Sequence, residues 1–512
     1  MNLELEGFPR FEPLLSKVWK SAFTRGIESL RAMGLPADSH VAIRQALTSV
    51  QAQRRFIRGV HTGYDQAQRV IGFHVVEWER QVREIERLRA TKPRSAHEEL
   101  AGKINLLRDR QLVLRRVLDA ILFSIIGHEL QILRRMTLDN KTHRIDPDVV
   151  EITLAEAGRL NRESRYRFNL VSDLTTIVQV GDLIQIDKVL GNRATWRIVK
   201  LKSGRVNKEL KGYLDRGKTA LDESALQEIE TKLGRHAVFQ AKRMERQVFR
   251  ADQVESMAKT DHAIDARTGE MIRTNTQRLY TDHYGPTLEE LIKKGATDLA
   301  VRTIERCLHF VCLPQERLDA IGGPHAVRHL FYHMMHREAS CSFEKKTEDH
   351  EVELDRLKKI APFFDFVELN LRDGFMQPLF MFPLDFPIIA RLVSGQIRLF
   401  TTMDFQELIR MGCEEGIPMR WTTAKETEDV KRFAPVIPGS PGARGIHIDF
   451  EDNDAHTVLA GSLFRVYSDL TTPSGLLAMA KSYPQHRREL EAAESEYEKT
   501  QASDGDDRDD SN

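Results

Sequence analysis

The sequence predicts a mixed α+β chain of several domains: a helical N-terminal region, a small α/β module in the middle and a C-terminal α+β domain. Between Tyr64 and Met136 apolar residues recur at helical spacing among charges, with few breakers. Residues 180–202 read instead as strand, turn and strand. From 360 to 470, short phenylalanine-rich runs are separated by proline and glycine, as in "PVIPGSPGARG". A chain of 512 residues is also too long for a single core.

The elements follow in chain order. "YDQAQRVIGFHVVEWERQVREIERLRA" places Val70, Phe73, Val76, Ile85 and Leu88 among alternating charges, the pattern of a long amphipathic helix. After "TKPRS" a second helix starts, with Ser95 and Glu98 at capping-box spacing, and its arm is expected to bury around Ile121–Ile126. Residues 1–140 thus form a helical region with long antiparallel helices. Gln51–Met136 carries 17 basic and 10 acidic residues, but they interleave, so this face reads as solvated and ion-paired. Pro147, beside Asp146 and Asp148, opens a further helix. In "RESRYRFNLVSDLTTIVQV" the spacing of Leu170, Val171, Leu174, Ile177 and Val178 predicts a helix that Gly181 stops. Charged helix returns from Asp215 to Ala258 and closes a module over 141–258. Residues 259–345 read as helical, 346–484 as an α+β domain and 485–512 as an acidic tail without apolar residues enough to fold.

The whole chain balances 76 basic against 76 acidic residues, so net charge selects no nucleic-acid or membrane partner. No apolar run reaches the length of a membrane span, and the N-terminus lacks the pattern of an export signal. Four cysteines in so long a chain make no disulfide framework, which points to a reducing, cytoplasmic setting.

The most specific stretch is "VGDLIQIDKVLGNRATWRIVKLKSGRVNKEL", residues 180–210. Side chains alternate along a strand. Val199 and Leu201 therefore share one face, and Lys200 and Lys202 the other. Leu183 and Gln185 oppose Asp182, Ile184 and Ile186. Asp182 is expected to point across the hairpin to the lysines, with Asp173 at the same end on the preceding helix.

This arrangement resembles the PD-(D/E)XK nuclease superfamily over about residues 150–218. The resemblance rests on Gly181-Asp182 at the motif aspartate, Lys202 at the motif lysine and the "IVKLKSGRVN" form of the acidic strand. It implies a restriction-endonuclease-like module and Mg2+ held by Asp182. It further implies catalytic roles for Asp182, Lys202 and Asp173, Glu163 and Glu156 being weaker choices for the helical acid. DNA or RNA is the implied partner and bacterial defence the implied setting. The chain departs from the pattern at Lys200, where the family carries an acid. An ammonium group cannot ligate magnesium and repels it, by about 4 kcal/mol per unit charge at 4 Å and an effective dielectric of about 20.

Two consequences of that departure stay open. The acid is supplied from elsewhere, for example by Asp187, whose register turns it to the other face. Or the site has lost its metal chemistry and keeps nucleic-acid binding, with Lys200, Arg205, Lys208 and Lys211 as a basic exit for phosphates. A different class of function is an interaction scaffold in which the N-terminal helices bind a partner protein and the hairpin is only structural.

Elsewhere, His325, His329, His333 and His336 fall on one helical stripe, and Cys307, His309 and Cys312 lie one expected helix earlier. Four ligands spread over three turns cannot meet one ion, so the stripe reads as a partly buried, hydrogen-bonded face. His128-Glu129 lacks a second histidine, and "GSPGARG" lacks the GK[ST] ending of a phosphate loop.

Overall fold

A computed structural model describes residues 8–33, 48–126, 133, 136, 145–164, 166–187, 195–200, 209–210, 212–213, 221, 223–260, 262–264, 271–273, 283–336, 363–374, 376–382, 384–423, 425–426, 446–449, 455–458, 465–482 and scattered positions from 484 to 495. The chain divides into two compact units, Leu5–Asn275 and Thr276–Asn512.

The first unit opens with helix α1 (Phe8–Arg31), whose buried stripe runs Phe8, Phe11, Leu15, Val18, Ala22 and Leu30. It lies along α2 (Val50–Thr91), capped by the Ser49 side chain on Ala52 N. Gly63 allows the close approach of the two helices, since a Cβ there would stand 2.1 Å from the Ser21 carbonyl oxygen. A 3-10 turn at Arg94–Ala96 reverses the chain into α3 (His97–Ile126), the antiparallel partner that the sequence predicts. Its first residue is His97, so Ser95 sits in the turn and does not open the helix. Residues 113–123 of α3 are buried throughout. The buried face of α2 is Ala67, Ile71, Val75, Trp78 and Val82; the periodicity misassigns Phe73 and Leu88, which are exposed.

Helix α4 (Pro147–Glu163), capped by Asp146, leads into a three-stranded antiparallel meander: β1 (Arg167–Val171), β2 (Leu183–Asp187) and β3 (Thr195–Val199). The helix expected over 165–179 is therefore a strand followed by the 3-10 turn Ser172–Leu174. Its apolar residues are all buried, and polar side chains from the helices complete its free edge. Gln68 of α2 donates from Nε2 to Asn169 O at 3.1 Å and accepts from Val171 N at 2.8 Å, as a fourth strand would. Asn161 of α4 accepts from Asn169 N at 2.8 Å. Beyond the meander, α5 (Glu223–Leu233) and α6 (Arg235–Thr260) restore the charged helix expected there, and the pair β4 (His262–Ile264) and β5 (Met271–Arg273) closes the unit.

The second unit centres on a four-stranded antiparallel sheet, two of whose strands lie in 259–345, expected to be helical, and two in the expected α+β domain. After α7 (Gly285–Gly295) come β6 (Ala300–Ile304) and β7 (Leu308–Pro314). Next are α8 (Gln315–Ala320), α9 (Pro324–His336), β8 (Phe363–Asp365), α10 (Phe366–Arg372), α11 (Phe386–Val393) and β9 (Ile397–Met403). Sheet order is β6-β7-β9-β8. One face packs Val311, Leu313 and Phe400 on Leu318, Val327 and Phe331. The other carries Phe310 against the rings of Tyr284 and Phe366. Then α12 (Phe405–Glu414), a small antiparallel sheet of β10 (Met419–Trp421), β11 (Ile446–Asp449) and β12 (Ala455–Val458), and the helices α13 (Arg465–Ser468) and α14 (Pro473–Lys481) follow. Among the described residues no helix is long and apolar enough to cross a membrane.

Candidate functional site

The hairpin that singles out Asp182 does form, and backbone bonds hold that residue on both sides. Its amide donates to Val199 O at 2.9 Å and its carbonyl accepts from Ser172 N at 3.0 Å. Asp182 precedes the last ladder pair Leu183–Val199 and Lys200 follows it, so the two residues adjoin at one end of the sheet. Gly181 makes the turn possible. Its φ is +71°, and a Cβ would stand 2.3 Å from Ile198 Cγ2, so both conformation and space require glycine.

Asp173 reaches the same end, but from the 3-10 turn after β1 rather than from a helix. Buried charges on α3 fix this turn from beneath. Asp119 accepts from Thr176 N at 2.8 Å and from its hydroxyl, while pairing with Arg116 at 2.8 Å; Arg116 and Asp119 have no exposed side-chain surface. Arg115 donates to the carbonyls of Thr175 and, at 3.5 Å, Asp173. Burial pulls the Arg115 guanidinium pKa down, opposed by the negative charges of Asp119, Asp173 and Glu79.

From the other side, α6 brings two carboxylates that the sequence reading missed. Glu255 accepts from Ile198 N on the open edge of β3 at 3.4 Å. Asp252, one turn earlier, lies within the field of Lys200. Loss of surrounding water raises the Asp252 carboxyl pKa, Lys200 lowers it and Glu255 raises it further. The two acids look like ordinary surface charges in "ADQVESM", and only the packing of α6 on β3 marks them.

The sheet end thus collects Asp173, Asp182, Lys200, Asp252 and Glu255. Other expected participants are elsewhere. Asp187 is at the far end of β2 in an ion pair with Arg167 at 2.8 Å, so it cannot replace the missing acid. Glu156 and Glu163 both engage Arg159 on α4. Lys202, Arg205, Lys208 and Lys211 lie outside the described residues, as do His128, Glu129 and "GSPGARG". No group of three or more His, Cys, Asp or Glu side chains that could hold a metal ion occurs among the described residues, and an ammonium group stands where the second acid would be.

The histidine stripe does lie on one helix, α9, but His325, His329 and His333 are exposed, correcting the expectation of a partly buried face. Cys307, His309 and Cys312 sit in and beside strand β7, not on a helix, and are buried. No family model, curated protein or solved structure matches the chain.

Proposed function

We propose that the first unit is a nucleic-acid-binding protein of nuclease-like build, with Lys200 and its basic exit contacting phosphates in place of a metal-assisted cleavage site. The observation that carries the reading is the clamped strand end, where two backbone bonds hold Asp182 beside Lys200 on a turn anchored by buried charge. Such a platform keeps a cation at a fixed point while the backbone of a duplex or single strand passes over it. The adjacent carboxylates restrict where a phosphate can sit, favouring the Lys200 side of the row. Free buried thiols at Cys307 and Cys312 fit a cytoplasmic location.

Fluorescence anisotropy with a labelled 20-base-pair DNA duplex and an RNA strand of equal length tests this. Affinity is expected to fall steeply between about 50 and 200 mM salt, by about tenfold or more. Lys200→Ala combined with Lys202→Ala is expected to weaken binding by about tenfold and to flatten the salt dependence. Binding indifferent to both salt and the double substitution would eliminate the proposal.

A further inference from the structure

A second site lies in the same unit, away from the sheet end. A cleft of about 490 Å³ opens between α2 and α4. Gly72 and Leu154 meet in its floor, where a Cβ on Gly72 would stand 2.3 Å from Leu154 Cδ1. Phe73 forms one wall and is 66% exposed, whereas Ile71 and Val75 beside it are fully buried. A phenyl ring left in water beside a cavity is an aromatic surface available for stacking.

The ends of the cleft differ in charge. At one, Arg69 and Arg162 converge over Gly158: a Cβ there would lie 3.4 Å from Arg69 Nη2 and 3.7 Å from Arg162 Nη1. Absence of a side chain at 158 leaves room between the two guanidinium groups. Arg69 is held in place by Asp65 at 2.6 Å, and Asp65 accepts from Asn161 Nδ2 at 2.8 Å. Asn161 in turn accepts from the β1 backbone, so the orientation of Arg69 is tied to the sheet. Arg162 has no hydrogen-bond or ion-pair partner among the described residues. At the other end are Glu77 and the Arg80–Glu151 bridge, 2.8 Å long, which links the two helices and closes the cleft.

We propose that this cleft binds a nucleoside monophosphate unit, with its phosphate between Arg69 and Arg162, its base against Phe73 and the base's amino edge toward Glu77. The dimensions agree: eight residues of helix from Arg69 to Glu77 rise about 12 Å, roughly one nucleotide from phosphate to base edge. Paired guanidinium groups suit a phosphate, and an aromatic face suits any base. An acidic peptide or helix would need a groove open along its length, which the Arg80–Glu151 bridge denies. The cleft is built by α2 and α4 alone, so this inference stands or falls separately from the role proposed for Lys200.

Isothermal titration calorimetry on the full chain with AMP, CMP, GMP and UMP, with a 5′-phosphorylated trinucleotide and with inorganic phosphate tests it. At least one nucleoside monophosphate is expected to bind saturably, about tenfold more weakly in Phe73→Ala and about tenfold or more weakly in Arg162→Ala. Arg159→Ala, which removes a side chain paired with Glu156 and Glu163 on the same helix, is expected to leave binding unchanged. Tighter binding of the trinucleotide assigns the site to a nucleic-acid strand, and equal or weaker binding assigns it to free nucleotide. Phe73 and Arg162 are exposed, and thermal unfolding confirms that both variants fold. The proposal is overturned if no nucleotide binds, if inorganic phosphate binds as well as the nucleotides, or if either substitution leaves affinity unchanged.

Discussion

Two sheets of this protein, the β1–β3 meander and the four-stranded β6-β7-β9-β8 sheet, are both antiparallel and both packed by helices, yet they are held by different physics. Across the meander of the first unit runs a polar row. Arg197 donates to Gln185 at 2.6 Å, Gln185 to Asn169 at 2.8 Å, and Asn161 takes two bonds from Asn169. The corresponding interior of the second unit is aromatic: Phe363 stacks on Phe400 at 5.3 Å, and Phe310 contacts Tyr284 and Phe366. Apolar area tolerates small shifts, because dispersion and burial are non-directional. A buried polar row does not, because each unpaired atom costs about 1–3 kcal/mol. The first sheet therefore fixes geometry at the expense of tolerance, and it is the one whose end gathers the charged candidates.

The largest expected difference lies beneath that end. Asp119→Ala removes a carboxylate from beside the buried Arg116 and strips two bonds from Thr176. Removing one partner of a buried pair costs about 3–5 kcal/mol. Hydrogen exchange is expected to accelerate across 167–187 and to stay unchanged across 397–403. Equal loss of protection in both sheets would contradict the contrast between them.

The second sheet has its own exception, His309, which is 3% exposed. Its Nδ1 meets Thr303 Oγ1 at 3.0 Å and its Nε2 has no hydrogen-bond partner among the described residues. Burial lowers its pKa to about 4, with Glu407 acting in the opposite sense. Above the unfolded value near 6.5 both states are neutral and stability is complete. As the pH falls from about 6.5 to about 4 the unfolded chain takes up the proton first, so stability drops, by roughly 3 kcal/mol at most. Below about 4 the folded state is protonated too and this loss ends. Denaturant titrations at pH 7 and pH 4 are expected to show wild type losing more than His309→Gln; equal losses would show that His309 does not titrate in this way.

How much of this was legible in the sequence follows the same division. The long helices declare themselves because their contacts are periodic and local, and the β2–β3 hairpin because its alternation is regular. Strand β1 did not, since Leu170, Val171, Leu174, Ile177 and Val178 also satisfy a helical period, and Gln68, which completes its edge, lies about 100 residues earlier. Asp252 and Glu255 become candidates only once α6 packs on β3. A usable signal did exist for Arg115, Arg116 and Asp119. Three charges inside the apolar run "VLRRVLDAILF" cannot all reach water from a buried helix, so they must find partners in the fold.

The smallest test compares two polar side chains of equal burial, Gln68 and Thr401, at 1% and 0% exposure. Gln68 supplies both bonds at the free edge of β1, one as donor and one as acceptor. Gln68→Leu keeps the bulk but leaves Asn169 O and Val171 N unpaired in the interior, at a cost of about 2 kcal/mol. Thr401 donates to His309 O at 3.1 Å in the second sheet, where that strand is already paired to β9 through the register His309–Thr402. Thr401→Val preserves shape and removes only a supplementary bond, so about 1 kcal/mol or less is expected. Chemical denaturation of the two variants resolves the difference. If Thr401→Val costs as much as Gln68→Leu, hydrogen bonding governs both sheets alike, and the charged end of the meander loses its claim to unusual rigidity.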